Sequence, residues 1–119
     1  MSTTIELQIT NSEKDALISV LPLVQHLRIP NPIRASILNQ AAENALTKLK
    51  SEHFQFTPAE YDAIALSADA GITLCSGQNE SFFDLRMSIL EWQRKLAPHY
   101  FALRKIAPIL GESADALLR

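Results

Sequence analysis

Three histidines, His26, His53 and His99, are the side chains of this sequence best suited to hold a metal ion or to move a proton near neutral pH. They fall on three different predicted elements, and none has a carboxylate or a cysteine at ligand spacing. A metal ion needs three or four convergent ligands. The sequence therefore predicts no metal site.

Nucleophilic or acid–base catalysis would draw on Ser76 beside Cys75, or on Asp15 and Asp62. A thiolate needs a neighbouring base or a positive helix end, and the apolar residues around Cys75 favour a buried, inert thiol instead. An acidic side chain in the first turn of a helix is stabilised by the helix dipole, which would explain both aspartates without a substrate. We therefore expect no catalytic residue and predict that the chain is not an enzyme.

The glycines, Gly71, Gly77 and Gly111, do not have the spacing of a phosphate-binding loop or of a dinucleotide-binding turn. Such loops use closely spaced glycines so that backbone amides can approach a phosphate. The sequence thus predicts no cofactor.

The C-terminal third is the basic part of the chain. Against Asp84 and Glu91 it carries Arg86, Arg94, Lys95, Arg104 and Lys105. A nucleic-acid-binding domain is usually basic as a whole, whereas this chain has a net charge of -2 and a pI near 5.9. We interpret these cations as solvated helix faces and keep a nucleic-acid-associated regulator as the alternative function.

The C-terminal third also has more apolar side chains than one helix face can hold. A small domain with two apolar stripes on a helix either sandwiches that helix or buries the spare stripe against another chain. We expect an interface, in a symmetric homodimer or with another protein, formed by Phe83, Met87, Leu90, Arg94, Tyr100, Phe101 and Arg104. The alternative is that the C-terminal helix covers the second stripe within one chain.

Length and composition describe one folded domain. The chain has 119 residues, of which 47% are hydrophobic and 20% charged, and this balance excludes intrinsic disorder. No apolar run approaches the roughly 18 to 20 residues that cross a bilayer, and the first residues lack the basic and apolar segments of a leader. The single Cys75 cannot form an internal disulfide, which fits a reducing compartment. Together these features predict a cytoplasmic protein without a membrane partner.

The chain contains an internal repeat. Residues 7–10 and 54–57 both follow the pattern apolar, Gln, apolar, Thr, and the match continues with Glu, Asp, Ala and an apolar residue. Each copy ends in a stripe of helical spacing, at positions 38, 42, 45 and 49 and at positions 85, 89, 92 and 96. The alignment predicts two strand–helix–helix units, at about 5–50 and 52–97, and a C-terminal extension over 98–119, within a single domain of residues 1–119.

The repeated segment also predicts how each unit begins. Thr10 with Glu13, and Thr57 with Glu60, have the spacing of a capping box. Apolar and polar residues alternate just before each threonine, which is the period of a half-buried strand. We expect the two strands to pair and the helices to pack as a small bundle.

Two helices are predicted in the first unit. The first covers residues 11–28, with a kink or break at Pro22, because proline cannot donate to the carbonyl four residues back. The second begins after Asn31, with Pro32 in its first position. The positions predicted to be buried are Leu17, Val20, Leu21, Val24 and Leu27 in the first helix and Ile37, Leu38, Ala41, Ala45, Leu46 and Leu49 in the second.

Three further helices are predicted after residue 57. The third begins at Pro58, buries a stripe that includes Tyr61, and is ended or loosened by Gly71 before a turn over residues 76–79. The fourth begins near residue 80 and stops before Pro98. A shorter fifth covers residues 100–107 and stops before Pro108.

Together these features predict a mainly helical domain, a small bundle of two pseudo-repeated strand–helix–helix units with a C-terminal helical extension. The expected function is that of a non-catalytic protein–protein interaction module, such as an adaptor, an inhibitor or an assembly factor, that forms a homodimer or binds another protein. A nucleic-acid-associated regulator that acts through the basic C-terminal helices is the alternative.

Overall fold

The computed structural model describes residues 4–76 and 89–110, which are mainly helical. Short 3₁₀ segments follow the first and fourth helices, at Leu21–His26 and Ala97–His99. The elements are β1 (Ile5–Glu6), α1 (Asn11–Val20), α2 (Pro32–Lys50), β2 (Gln55–Phe56), α3 (Pro58–Cys75), α4 (Ile89–Leu96) and α5 (Tyr100–Leu110). The predicted start of the fourth helix lies outside the described residues, as do Phe83 and Met87.

The expected pairing of the two strands is confirmed. β1 and β2 are antiparallel, with Ile5 opposite Phe56 and Glu6 opposite Gln55. The Leu7 amide donates a further hydrogen bond to the Phe54 carbonyl at 2.9 Å, which extends the strand pairing by one residue pair. The strands therefore join the first half of the chain to the second, while the interpretation of the two halves as a repeat stays a prediction.

Both predicted capping boxes form. The Thr10 hydroxyl accepts from the Glu13 amide at 3.2 Å, and a Glu13 carboxylate oxygen accepts from the Thr10 amide at 3.0 Å. Thr57 and Glu60 make the same two bonds, at 3.2 and 2.9 Å. Each box satisfies amides at the start of a helix that have no partner within the helix, and so fixes where α1 and α3 begin.

The predicted break near Pro22 is also confirmed. α1 ends at Val20, and the chain continues as a 3₁₀ segment to His26, two residues short of the predicted end. The five positions predicted to be buried in this stretch are all buried, and Leu23, which lies off their stripe, is fully buried as well. The apolar side chain of Leu23, outside the predicted stripe, is therefore covered within one molecule.

α2 begins as predicted, and its predicted buried face is confirmed at Leu38, Ala41, Ala45 and Leu49 but not at Ile37. The Asn31 side chain accepts from the amides of Ile33 and Arg34, at 2.9 and 3.2 Å. The prediction that Ile37 is buried is wrong, because 54% of it is exposed. The buried stripe runs through Leu38, Ala41, Ala42, Ala45 and Leu49, and Ile37 lies about 100° from the centre of that stripe.

α3 continues through Gly71 to Cys75, so the idea that Gly71 ends the helix is wrong, whereas the predicted end of the helix before Ser76 is confirmed. A Cβ atom at Gly71 would lie 3.0 Å from Cγ1 of Val20 and 3.2 Å from Cδ1 of Leu103. Both neighbours are fully buried. The glycine therefore allows α3 to pack closely against α1 and α5 and does not terminate the helix.

α4, the 3₁₀ segment after it and α5 form one helical path. Pro98 lacks the amide that would bond to the carbonyl four residues back, which explains the 3₁₀ segment. The predicted stop before Pro108 is wrong, because α5 includes Pro108 and ends at Leu110. A proline this close to the end of a helix removes one bond from its last turn and leaves the earlier turns intact.

Gly71 yields the first testable prediction. Replacing it with valine adds three carbon atoms where the first already meets fully buried neighbours, so we expect unfolding to become easier by about 2 kcal/mol or more. Gly71→Ala adds the first carbon alone and regains up to about 1 kcal/mol of helix propensity, so its loss should be smaller. Chemical denaturation of the two variants measures both changes, and a valine variant as stable as the wild type would contradict the packing described.

Candidate functional site

The structure keeps the three histidines apart. His26 lies in the 3₁₀ segment after α1, with its ring in an edge-to-face contact with Trp92 at a centroid distance of 5.8 Å. His53 is exposed between α2 and β2, and His99 lies in the 3₁₀ segment after α4. Across residues 4–76 and 89–110, no three His, Cys, Asp or Glu side chains are grouped closely enough to hold a metal ion.

Ser19 and His99 form a contact that the sequence did not indicate. Nε2 of His99 lies 3.2 Å from Oγ of Ser19, within reach for a histidine that activates a hydroxyl. The Ser19 hydroxyl, however, donates to the backbone carbonyl of Asp15 at 2.9 Å. Because a hydroxyl has one proton to donate, Nε2 must be the donor to Oγ whenever this bond to Asp15 is made, which is the opposite of nucleophile activation. The contact ties the 3₁₀ segment after α4 to α1.

Cys75 and Ser76 lie beside a cleft of about 420 Å³, whose other walls are Gln93, Ala97 and Tyr100. Burial raises the pKa of the Cys75 thiol. At neutral pH the thiolate is therefore scarcer than in a free cysteine. The described lining of the cleft holds no cation or histidine that would favour the thiolate. The thiol is half-buried and not buried as the sequence predicted, and its inertness stays a prediction.

The two aspartates compared in the sequence lie in the second turns of their helices. Asp15 is exposed on α1, and Asp62 is half-buried on α3. The helix dipole acts mainly over the first turn, where the acidic residues are Glu13 and Glu60. The explanation offered for the aspartates from the sequence therefore applies to the two glutamates of the capping boxes.

Glu60 is the most deeply buried charged side chain among the described residues, and its side chain is 6% exposed. Its Oε1 lies 2.6 Å from Nζ of Lys48 and also accepts from the Thr57 amide. Nζ of Lys48 donates to the Gln55 carbonyl at 3.0 Å and lies 5.8 Å from the centroid of the Phe56 ring. One ion pair thus connects the end of α2, the strand β2 and the start of α3.

Buried carboxylates beside amines also occur in active sites, but here each group has structural partners. Lys48 contacts a carboxylate, a carbonyl and a ring, and Glu60 holds the cap of α3. Sequence spacing identified Glu60 as a capping residue and did not indicate Lys48, which lies on another helix. We interpret the pair as a structural link.

The remaining candidate surface is on α4 and α5. The inner side of this helical path is fixed by Leu96, Leu103 and Ile106, which are fully buried. Its outer side carries the described members of the predicted interface, Leu90, Arg94, Tyr100, Phe101 and Arg104, and we call these five residues the basic–aromatic face. Positions 90, 94, 101 and 104 fall on one side because every residue from 89 to 110 has helical backbone.

Apolar side chains of the basic–aromatic face are unusually exposed. Phe101 is 78% exposed and Leu90 is 58% exposed. Tyr100 is half-buried, and its ring meets that of Phe101 edge to face at 5.9 Å. Phe101 also lines a groove of about 440 Å³ between the start of α1 and α5. The two rings therefore form a ridge between this groove and the cleft beside Cys75.

The same helices carry a surplus of positive charge. Arg94, Lys95, Arg104 and Lys105 are all exposed, against Glu91 alone between residues 89 and 110. None of these four cations forms an ion pair with a carboxylate in the part of the chain that the structure describes. Lys95 lies over the ring of Trp92 at 4.6 Å, and Arg104 over that of Tyr100 at 5.8 Å. Their charges stay available to an incoming anion.

Comparison of the chain with known protein families, with curated proteins and with solved structures found no match. Within the described ranges, no helix combines the length and the hydropathy needed to span a membrane. Function is therefore inferred from the geometry and charge of the surface.

The Lys48–Glu60 pair yields the second prediction. Glu60→Gln keeps an oxygen for the cap but leaves the Lys48 ammonium without its counter-charge. We expect the free energy of unfolding to fall by about 2 kcal/mol, which is less than for a fully buried pair because Lys48 is partly exposed. Glu13→Gln makes the same change in the exposed capping box of α1 and should cost about 0.5 kcal/mol or less. Denaturant titration of both variants measures the difference, and equal losses would contradict a special role for Lys48.

Proposed function

We propose that this chain is a non-catalytic protein–protein interaction module that binds its partner through the basic–aromatic face. The observation that carries the proposal is the exposure of Phe101, a large aromatic side chain of which 78% faces solvent. Residues of this kind are enriched in protein interfaces, where aromatic and arginine side chains supply much of the binding energy. Burying an exposed phenylalanine contributes about 1.5–3 kcal/mol.

The charge of the face selects the chemistry of the partner. The cations at positions 94 and 95 and those at 104 and 105 are ten residues apart, which is about 15 Å along a helix, with the ring of Phe101 between them. A partner surface with an apolar centre and carboxylates on both sides complements this arrangement. Electrostatic complementarity of this kind mainly sets specificity and the rate of association.

The four cations argue against a homodimer that forms through the basic–aromatic face. A symmetric dimer brings the same patch of two copies together, so pairing through this face would place Arg94, Lys95, Arg104 and Lys105 against their own copies. Like charges facing each other oppose association. We therefore assign the basic–aromatic face to a different, acidic protein, and place any self-association elsewhere.

A nucleic acid is the other class of anionic ligand. It is disfavoured because the whole chain has a net charge of -2, whereas phosphate-binding domains are usually basic, and because Leu90 offers an aliphatic surface that bases and phosphates do not need. The proposal includes a cytoplasmic location, in keeping with a sequence whose single cysteine cannot form an internal disulfide.

The third prediction tests Phe101. Affinity capture of the tagged protein from its own cells should retain a stoichiometric acidic protein, and Phe101→Asp should reduce its recovery about tenfold or more, since it removes an apolar contact worth at least about 1.4 kcal/mol and adds a negative charge. Phe101→Tyr, which keeps the ring, should retain most of the partner. Because the side chain is exposed, the thermal unfolding midpoint of both variants should match that of the wild type.

Charge reversal provides the second arm of this experiment. Arg94→Glu with Arg104→Glu should release the partner, whereas Arg28→Glu with Lys50→Glu, which reverses two exposed cations elsewhere in the chain, should not. Recovery of the partner by every variant would contradict the proposed site. Nucleic acid that co-elutes with the wild type, and is lost with Arg94→Glu and Arg104→Glu, would replace this proposal with the nucleic-acid alternative.

A further inference from the structure

α2 carries a second stripe on the side opposite its buried one. Its members, Ile33, Ile37, Gln40, Asn44 and Thr47, are all exposed and all uncharged, and we call them the neutral seam. Ile33 is 72% exposed and Ile37 is 54% exposed. The solvent side of a helix normally carries charged residues, and here those of α2, such as Arg34 and Glu43, flank the seam.

The spacing of the neutral seam is that of a helix–helix contact. Steps of four, three, four and three residues from position 33 to position 47 match the alternation of a coiled-coil seam. The Gln40 amide group donates to the Asn44 side-chain oxygen at 3.3 Å, so these two polar members already satisfy part of each other's hydrogen-bonding capacity. The seam is therefore suited to packing against another helix at modest desolvation cost.

A groove runs beside the neutral seam, between α2 and the first turn of α3. It has a volume of about 430 Å³, and its walls include Ile37, Gln40 and Asn44 on one side and Thr57 and Ala59 on the other. Glu60 also lines this groove, but its charge is paired with Lys48 at 2.6 Å. The groove offers space for a side chain from a second helix without exposing that side chain to an unpaired charge.

We propose that the neutral seam is a self-association surface, on which α2 of one protomer packs against α2 of its partner. Twofold symmetry places a patch against its own copy, and a patch without charged members does so without like-charge repulsion. We propose the parallel arrangement of the two α2 helices, because it brings Ile33 and Ile37 of both protomers into one cluster of four isoleucines. This inference is independent of the function proposed for the basic–aromatic face.

The size of the seam sets the expected strength of the dimer. From Ile33 to Thr47 the seam is about 21 Å long and one helix wide, which is smaller than a standard interface of about 800 Å² per partner. The dimer should therefore be weak, with a dissociation constant in the micromolar range. Sedimentation velocity from about 1 to 500 µM should show a monomer that converts to a dimer as concentration rises.

The matched variants are two pairs of exposed apolar residues changed to aspartate. Ile33→Asp with Ile37→Asp should raise the dissociation constant about tenfold or more, because four like charges replace the isoleucine cluster. Leu90→Asp with Phe101→Asp, the same change on the basic–aromatic face, should leave the dimer intact. Circular dichroism checks that both variants keep the helical content of the wild type.

A second measurement locates the contact in the unmodified chain. Amide chemical shifts of the full chain, compared at about 50 and 500 µM, should move at Ile33, Ile37, Gln40 and Asn44 and stay constant in α5. A chain that remains monomeric at the highest concentration would overturn the proposal. So would a dimer that Leu90→Asp with Phe101→Asp disrupts and Ile33→Asp with Ile37→Asp does not.

Discussion

The Lys48 ammonium group connects three elements where the two halves of this molecule meet. It neutralises the buried Glu60 carboxylate, which in turn caps α3, and it donates to the carbonyl of Gln55 in the strand that pairs with β1. A buried carboxylate without this partner would face a large desolvation penalty. The pair lies where α2 ends and α3 begins, so it holds the outer side of α2 next to the first turn of α3. These two surfaces are the walls of the groove beside the neutral seam.

Close packing behind this link determines what is left on the surface. Gly71 lets α3 approach α1 and α5, and the fully buried Leu96, Leu103 and Ile106 fix the rotation of the C-terminal helical path. The large exposed apolar side chains among the described residues, Ile33, Ile37, Leu90 and Phe101, then fall on two separate surfaces of different charge. One is basic and suited to an acidic partner, and the other is neutral and suited to a second copy. The two proposed contacts, one with an acidic protein and one with a second copy, would therefore not compete for the same surface.

Local patterns in the sequence predicted the parts of the fold that depend on neighbouring residues. The capping boxes at Thr10 and Thr57, the start of α2 at Asn31 and the break at Pro22 each follow from spacing or from the chemistry of one residue. The predictions for Gly71 and Ile37 were wrong because each depends on which side of a helix meets another element, and that is decided by contacts between distant residues. Lys48 was missed for the same reason. Of the predicted interface, periodicity identified Leu90 as a spare apolar residue, and the neighbouring aromatic and basic residues identified Phe101. Only the packing of α4 and α5 could decide that both face solvent.

Hydrogen–deuterium exchange of the captured complex, compared with the free protein, tests most directly the claim that the basic–aromatic face is the partner-binding surface. Amides slow their exchange where a partner buries them and stabilises the local helix. Partner binding at this face should add protection in peptides that cover residues 90–105, with no change in those that cover the neutral seam of α2. Protection confined to α2, with residues 90–105 unchanged, would contradict it.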